Sequence, residues 1–205
     1  MAIFGGSSKA QIGVDIGTSS IKVAEIKLGT QGKGELLNYA LVDFQQEEDI
    51  SVRNWEPSQL ASMIKQLTSK AGIKSTTAGI SVGVDESFTT YLRLPMVEQK
   101  DLDNAIAYEV KKYIPIALTE VKLGSEVVKR DTANNQLHIL AVAVPNTVIA
   151  KYRQISQEAN LNLITLEVET FSLIRTYLKN VSGTTLLVDI GALKTTISVI
   201  QDGNA

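Results

Sequence analysis

Three runs near the start of the chain, Ala10 to Ile16, Ser19 to Leu28 and Glu35 to Phe44, alternate apolar and polar residues with glycine-containing breaks between them. A period of two predicts strands, and the short breaks predict a three-strand meander. The period then changes. Leu60, Met63, Ile64, Leu67 and Ala71 fall on one helical stripe, with Pro57 or Ser58 at its start and Gly72 just past its end. Such a helix is placed to cover the sheet. Thr77 to Val84 predicts a fourth strand, and a smaller unit follows in the order strand (Ser87 to Leu94), helix (Asp101 to Tyr113), strand (Glu126 to Asp131), turn at Asn134-Asn135, strand (Leu137 to Val144). A helix with Val148, Ile149, Tyr152 and Ile155 on one face comes next, then a strand from Leu163 to Glu169 and a helix through Leu173, Ile174 and Leu178. The expected organisation is a first unit over 1–85 and 161–182, an inserted unit over 86–160, and the start of a third over 183–205.

Composition removes several function classes. The chain has 205 residues, 44% hydrophobic and 20% charged, which is ordinary globular material. A net charge of −2 with scattered Lys and Arg offers no basic field for a phosphodiester backbone, so nucleic acid is not an expected partner. With no Cys there are no disulfides or thiolate metal sites, and a single His, His138, cannot build an imidazole-rich zinc site. The longest apolar run, Ile139 to Val144, is far short of the roughly 20 residues a membrane span needs, and the first residues lack the basic start and apolar core of an export signal. A soluble, cytoplasmic protein is expected. The segment Gly5-Gly6-Ser7-Ser8-Lys9 is too short for a phosphate-binding P-loop.

One phrase occurs twice. Val14-Asp15-Ile16-Gly17 is followed by Thr18-Ser19-Ser20, and Val188-Asp189-Ile190-Gly191 by Ala192-Leu193-Lys194-Thr195, each leading into another alternating run. A carboxylate at a strand end, then glycine and small residues, lets the backbone turn tightly and aim several N–H groups at one anion. A single copy reads as an ordinary turn. Two copies facing each other across a cleft would hold a polyphosphate from both sides, with Asp15 and Asp189 ordering Mg²⁺ through its waters. Matching Ser19-Ser20-Ile21 to Thr195-Thr196-Ile197 gives the two loops different lengths.

These hairpins, with three strands, a helix and a strand around the first, resemble the actin-like ATPase fold shared with sugar kinases and heat-shock chaperones. Ala107 to Val121, "AYEVKKYIPIALTEV", with its flanking segments, resembles the PilM family of type IV pilus assembly proteins and, more distantly, the divisome family of FtsA. The resemblance implies an α/β fold whose actin-like (ribonuclease H-like) first half carries an inserted strand-helix-strand-strand (SHS2-like) subdomain, with a truncated second half. Members continue past the second hairpin, so the chain is expected to be a truncated protein or a fragment that binds Mg·ATP weakly or not at all by itself.

The resemblance also assigns residues and partners. It implies ATP and Mg²⁺ as cofactors, with Asp15, Gly17, Thr18, Ser19, Ser20 and Lys22 in the first hairpin and Asp189, Gly191, Ala192 and Thr195 in the second. Glu169 falls where related ATPases position the attacking water, and the alternative is a helix-start Glu stabilised by the helix dipole. Lys22 reads equally as a solvent-facing strand residue, and Lys194 as solvated. Catalysis is expected to be a weak ATPase at most. The implied partner is the N-terminal peptide of a PilN-like inner-membrane protein, bound as an extended chain in a groove between the first half and the inserted unit, near Tyr91 to Pro95 and Tyr113-Ile114-Pro115, alongside other pilus-machine proteins. Leu94 and Ile114 read individually as buried core. Peripheral attachment to the cytoplasmic face of the inner membrane would then come through that partner. The alternatives are an FtsA-like cytoskeletal ATPase, a sugar- or acetate-kinase-like enzyme, and an adaptor that has lost nucleotide binding. Trp55 and Tyr113 are expected to pack, and His138 to face solvent or a polar rim.

Overall fold

The computed structural model describes residues 9–29, 34–44, 51–178 and 181–201. Most of the segment Gly5 to Lys9 and of the break after Leu28 lies outside them. The meander forms as the alternation predicts: β1 (Ala10–Ile16), β2 (Ser20–Leu28) and β3 (Gly34–Asp43) are successive antiparallel neighbours. β4 (Thr77–Val82) joins β1 in parallel, and β8 (Asn162–Val168) joins β4 in parallel, giving a five-stranded sheet in the order β3-β2-β1-β4-β8.

α1 (Pro57–Lys70) begins with Pro57 at its first turn, where the missing N–H costs nothing, and with the Gln59 side chain accepting from the Glu56 N–H at 3.1 Å. It buries Leu60, Ala61, Ile64 and Leu67 on Ile12, Val14, Ile21 and Val23 of the sheet. Each fully buried Leu or Ile contributes about 1.5–3 kcal/mol, more than helix propensity supplies, so packing holds α1 in place. α3 (Asn146–Glu158) brings Tyr152 and Ile155 into the same core. The helix that the expected boundary at 160 gave to the inserted unit therefore packs with the first one, because its apolar stripe matches the free flank of α1.

The inserted unit is β5 (Phe88–Pro95), α2 (Gln99–Val110), β6 (Val121–Asp131) and β7 (Gln136–Pro145). Its sheet order is β5-β7-β6, and α2 seats Leu102, Ile106 and Val110 on Leu92, Leu94, Leu137 and Ile139. β6 starts five residues before the predicted Glu126. α4 (Glu169–Tyr177) follows β8 directly and packs Phe171, Ile174 and Leu178 against Leu187 and Ile200 of the last hairpin, β9 (Thr184–Ile190) with β10 (Thr195–Gln201).

A polar tie closes the first unit. Glu25, only 4% exposed on β2, accepts from Asn38 Nδ2 at 2.7 Å, Ser75 N at 2.9 Å and Lys74 N at 3.3 Å, fastening the segment before β4 to the meander. Burial raises its carboxyl pKa, but the Asn38 hydrogen bond and the two backbone donors outweigh that and leave it below its ordinary value. Glu25→Ala strands those donors and is expected to lose about 1–3 kcal/mol in denaturant unfolding at neutral pH. Because the folded pKa lies below an unfolded value of about 4.3, the contribution is fully present above that value and vanishes as pH falls through the folded one. The gap between parent and variant should therefore close in acid. A gap that persists unchanged would assign the loss to packing.

Candidate functional site

The two hairpin turns share one geometry. In the first, Ile16 pairs with Ile21 and the Gly17 N–H donates to the Ser20 carbonyl at 2.8 Å. In the second, Ile190 pairs with Thr195 and the Gly191 N–H donates to the Lys194 carbonyl at 2.9 Å. Each turn thus has four residues, which corrects the unequal loops read from the sequence. A slip by two residues preserves every inward and outward position, so alternation alone could not detect it. Lys194 stands where Ser20 stands, and Thr196 lies across from Asp189 as Lys22 lies across from Asp15. Thr195 instead shares its side with Ile197 and Val199. A Cβ on Gly17 would come 3.1 Å from the Ser20 oxygen, and one on Gly191 3.0 Å from the Lys194 oxygen, so both turns are built around glycine.

The carboxylate of Asp15 accepts from Ser81 Oγ at 2.8 Å and pairs with Lys22 Nζ at 3.0 Å. Lys22 is therefore a cross-strand partner of Asp15 here. The Thr18 and Ser19 carbonyls accept from Val52 N and Phe44 N, both at 2.8 Å, which fixes the first turn to the chain beyond β3. Ala192 lies in the exposed second turn. Among the described residues no three His, Cys, Asp or Glu side chains gather as direct metal ligands. A Mg²⁺ ion would be held here through its waters and phosphate oxygens, which the paired glycine turns and hydroxyls suit.

Between the turns lies a charged cluster around the buried Arg53, of which sequence reasoning named only Glu169 and, as a solvated residue, Lys194. Arg53, 5% exposed, donates from Nε to the Ile16 carbonyl at 2.6 Å, from Nη1 to Asp85 at 2.9 Å and from Nη2 to Glu169 at 2.6 Å. Glu169, the first residue of α4, also accepts from Val84 N at 3.2 Å and lies 3.3 Å from Lys194 Nζ, which contacts Asp85 as well. Both of its oxygens are engaged, as in a structural tie. Burial disfavours the Arg53 charge, but Glu169 more than offsets this and lifts the guanidinium pKa above its ordinary value. Burial likewise raises the Asp85 carboxyl, and the Lys194 hydrogen bond and the Arg53 charge outweigh it, leaving the pKa below the carboxylate range.

Alongside, Glu86 accepts from the Tyr152 hydroxyl at 2.6 Å and pairs with Lys151 at 2.9 Å, and Lys151 also donates to the Arg53 carbonyl at 2.8 Å. Burial, reinforced by Glu86, pushes the Tyr152 hydroxyl pKa far up, so it stays a fixed donor. Arg53 sits in a single 3-10 turn, Val52–Asn54, and Asp85 and Glu86 in another, Val84–Glu86, both too short to show a period in the sequence. The only sequence signal for them was charge in otherwise short connections.

A cavity of about 490 Å³ opens between the two units. Leu123, Val142 and Val144 line one side, Ile149, Leu166 and Phe171 the other, with Lys122, Arg153 and Glu167 as charged members. β6 and β8, each the edge strand of its sheet, both border it. It lies between the first and the inserted unit, as the expected groove does, and no residue of Tyr91 to Pro95 or Tyr113 to Pro115 lines it. Leu94 and Ile114 belong to the inserted unit's core, and Tyr113 is 54% exposed rather than packed. Trp55 does pack, edge-on to Phe44 with centroids 4.7 Å apart. His138 is half-buried beside the Tyr91 hydroxyl, 2.6 Å from its Nδ1.

Residues 13–205 match the family of type IV pilus assembly protein PilM. The chain belongs to the PilM family. Among solved structures it resembles a PilM-PilN type IV pilus biogenesis complex, with a TM-score of 0.77 and 20% identity over 96% of this chain and 59% of that one. It also resembles the cytoplasmic domain of EpsL, an inner-membrane component of the type II secretion system of Vibrio cholerae, with a TM-score of 0.60 and 10% identity over 94% of this chain and 71% of that one. A third likeness is to the ethanolamine utilization protein EutJ from Carboxydothermus hydrogenoformans, with a TM-score of 0.52 and 18% identity, covering 97% of this chain and 50% of that one. At these identities the likeness is one of fold, and the fold is the α/β actin-like one. The chain spans 59% of the length of the PilM-PilN chain it matches.

The cluster makes a sharp demand on Gly83. A Cβ there would lie 2.1 Å from Arg53 Nη1, whereas one at Gly13 meets nothing within 4 Å. Gly83→Ala is therefore expected to displace the guanidinium and lower stability by about 1–3 kcal/mol, while Gly13→Ala holds the parent's melting temperature. Equal melting of both variants would show that Arg53 is not fixed as described.

Proposed function

We propose that the chain works as a type IV pilus assembly protein that captures an extended peptide of a PilN-like inner-membrane partner in the groove between its two units. The observation that carries this reading is the groove itself: two sheet edges, β6 and β8, that pair with no further strand among the described residues, beside an apolar floor. An added strand would satisfy backbone groups on one edge, and alternate side chains would enter the pocket formed by Leu123, Val144, Leu166 and Phe171. The PilM-PilN likeness supports the identity of the partner. Among the described residues no helix is long and apolar enough to cross a membrane. In this reading the partner supplies the location at the cytoplasmic face of the inner membrane.

Mg·ATP is the second ligand in this reading, held between the glycine turns as a conformational ligand rather than a fast substrate. The matched turns around Gly17 and Gly191 support it. The engaged state of Glu169 favours slow hydrolysis at most. Asp15→Ala, which removes the anchor for hydrated Mg²⁺, is expected to weaken Mg-dependent nucleotide binding measured by calorimetry. Unchanged affinity would remove Asp15 from the site.

Peptide capture is tested at Gly124, an exposed position on β6 whose added Cβ meets only the Val142 oxygen at 4.0 Å. Gly124→Trp projects an indole into the groove without disturbing the fold. With a labelled N-terminal peptide of a PilN-like protein, fluorescence anisotropy should show parent binding and at least a roughly tenfold loss in the variant, the cost of blocking one anchor pocket. Equal binding by both proteins would place the peptide elsewhere.

A further inference from the structure

Lys194 differs from the other members of the charged cluster. It comes from the second hairpin, while Arg53, Asp85 and Glu169 all belong to the first unit. Its backbone is fixed, because its carbonyl closes the Gly191 turn. Its ammonium is not equally committed. Arg53 is 5% exposed and locked on three acceptors, whereas the Lys194 side chain is 31% exposed and touches only carboxylates that Arg53 already pairs. Withdrawing it leaves Glu169 with Arg53 and the Val84 N–H, and leaves Asp85, 55% exposed, with Arg53 and water. Nothing is stranded, so the release cost is small by comparison with removing Arg53.

The turn position says where the ammonium would go. Lys194 occupies in the second turn the place that Ser20 occupies in the first, four residues after the strand-end isoleucine in each case. A lysine on a flexible stem is a mobile point charge suited to a polyphosphate, whose several oxygens offer it more free negative charge than two carboxylates already paired with Arg53. We propose that Lys194 is a polyphosphate-binding residue held in reserve: Asp85 and Glu169 keep its ammonium parked while the cleft is empty, and an anionic ligand between the glycine turns draws it away from them. This rests on the nucleotide reading above and adds a competition to it. The same side chain then ties the hairpin to the first unit in one state and binds phosphate in the other.

Competition gives variants of opposite sign. NMR titration, which reads weak affinities, would follow Mg·ATP and, separately, inorganic tripolyphosphate binding to the parent, Lys194→Ala, Lys194→Arg and Asp85→Asn. Lys194→Ala should weaken both ligands roughly tenfold, as expected for one charge-assisted hydrogen bond, and Lys194→Arg should recover most of that loss. Asp85→Asn, which removes a competitor for the ammonium, should bind both ligands more tightly than the parent, and amide exchange in β9 and β10 should be faster without ligand. If the parent binds ATP and Lys194→Ala binds it equally well, Lys194 is only a structural clasp and the proposal is overturned while the nucleotide reading stands. If Asp85→Asn weakens binding, the carboxylate is a ligand-site member rather than a competitor, which also overturns the proposal. A parent that shifts with neither probe would overturn the proposal for residues 1–205.

Discussion

The buried guanidinium of Arg53 is the contact on which the arrangement of both hairpins depends. It reaches the end of β1 through the Ile16 carbonyl, the segment after β4 through Asp85, and the start of α4 through Glu169. A charge so buried is stable only because two carboxylates and a carbonyl surround it, and removing one partner from such a group costs several times what a surface pair is worth. Gly83 makes room for it. The Lys151 ammonium on its carbonyl, held in turn by Glu86 and thus coupled to Tyr152, extends the tie into α3 and the main core.

Glu169 also marks where two features meet. It follows Val168, the last residue of β8, and β8 forms one wall of the cavity between the units. The groove and the charged cluster thus share one stretch of backbone, from Leu163 to Phe171. Glu167 on that stretch is held by Arg175 and by Ser172 Oγ at 2.7 Å, which turns its carboxylate toward α4 and leaves the apolar residues to define the groove floor. Its pKa is raised by burial and lowered more strongly by Arg175, so it remains ionised across the neutral range.

The second hairpin repeats the logic of the first with a different outcome. Ile12, Val14, Ile16, Ile21 and Val23 are buried under α1 and α3, while the residues at the same positions of the second hairpin, Leu186, Val188, Ile190, Thr195 and Ile197, are exposed. Its opposite side, through Leu187 and Ile200, rests on α4. The same alternating phrase is therefore written for a covered face in both places, and in the described residues only the first copy has helices over it.

Most of the elements were legible because their apolar residues repeat with a clear period: the meander, the Leu60 to Leu67 stripe of α1 and the strand-helix-strand-strand order of the inserted unit follow directly from spacing. The repeated Asp-Ile-Gly was legible too, since a tight strand-end turn demands glycine locally. Three things were not. The register of the second turn escaped because a two-residue slip leaves alternation intact, so only the pairing of Ile190 with Thr195 placed Lys194 opposite the charged cluster. The walls of the cavity between the units escaped because they are the edges of two sheets, and an edge is a property of strand order rather than of any strand's sequence. Arg53 escaped because its partners Asp85 and Glu169 lie 32 and 116 residues away and its own single 3-10 turn is too short to show a period. The sequence by itself determined which residues alternate, turn and cover. Only the tertiary structure decided which charges meet, because burial and Coulomb attraction act across space and leave no periodic trace along the chain.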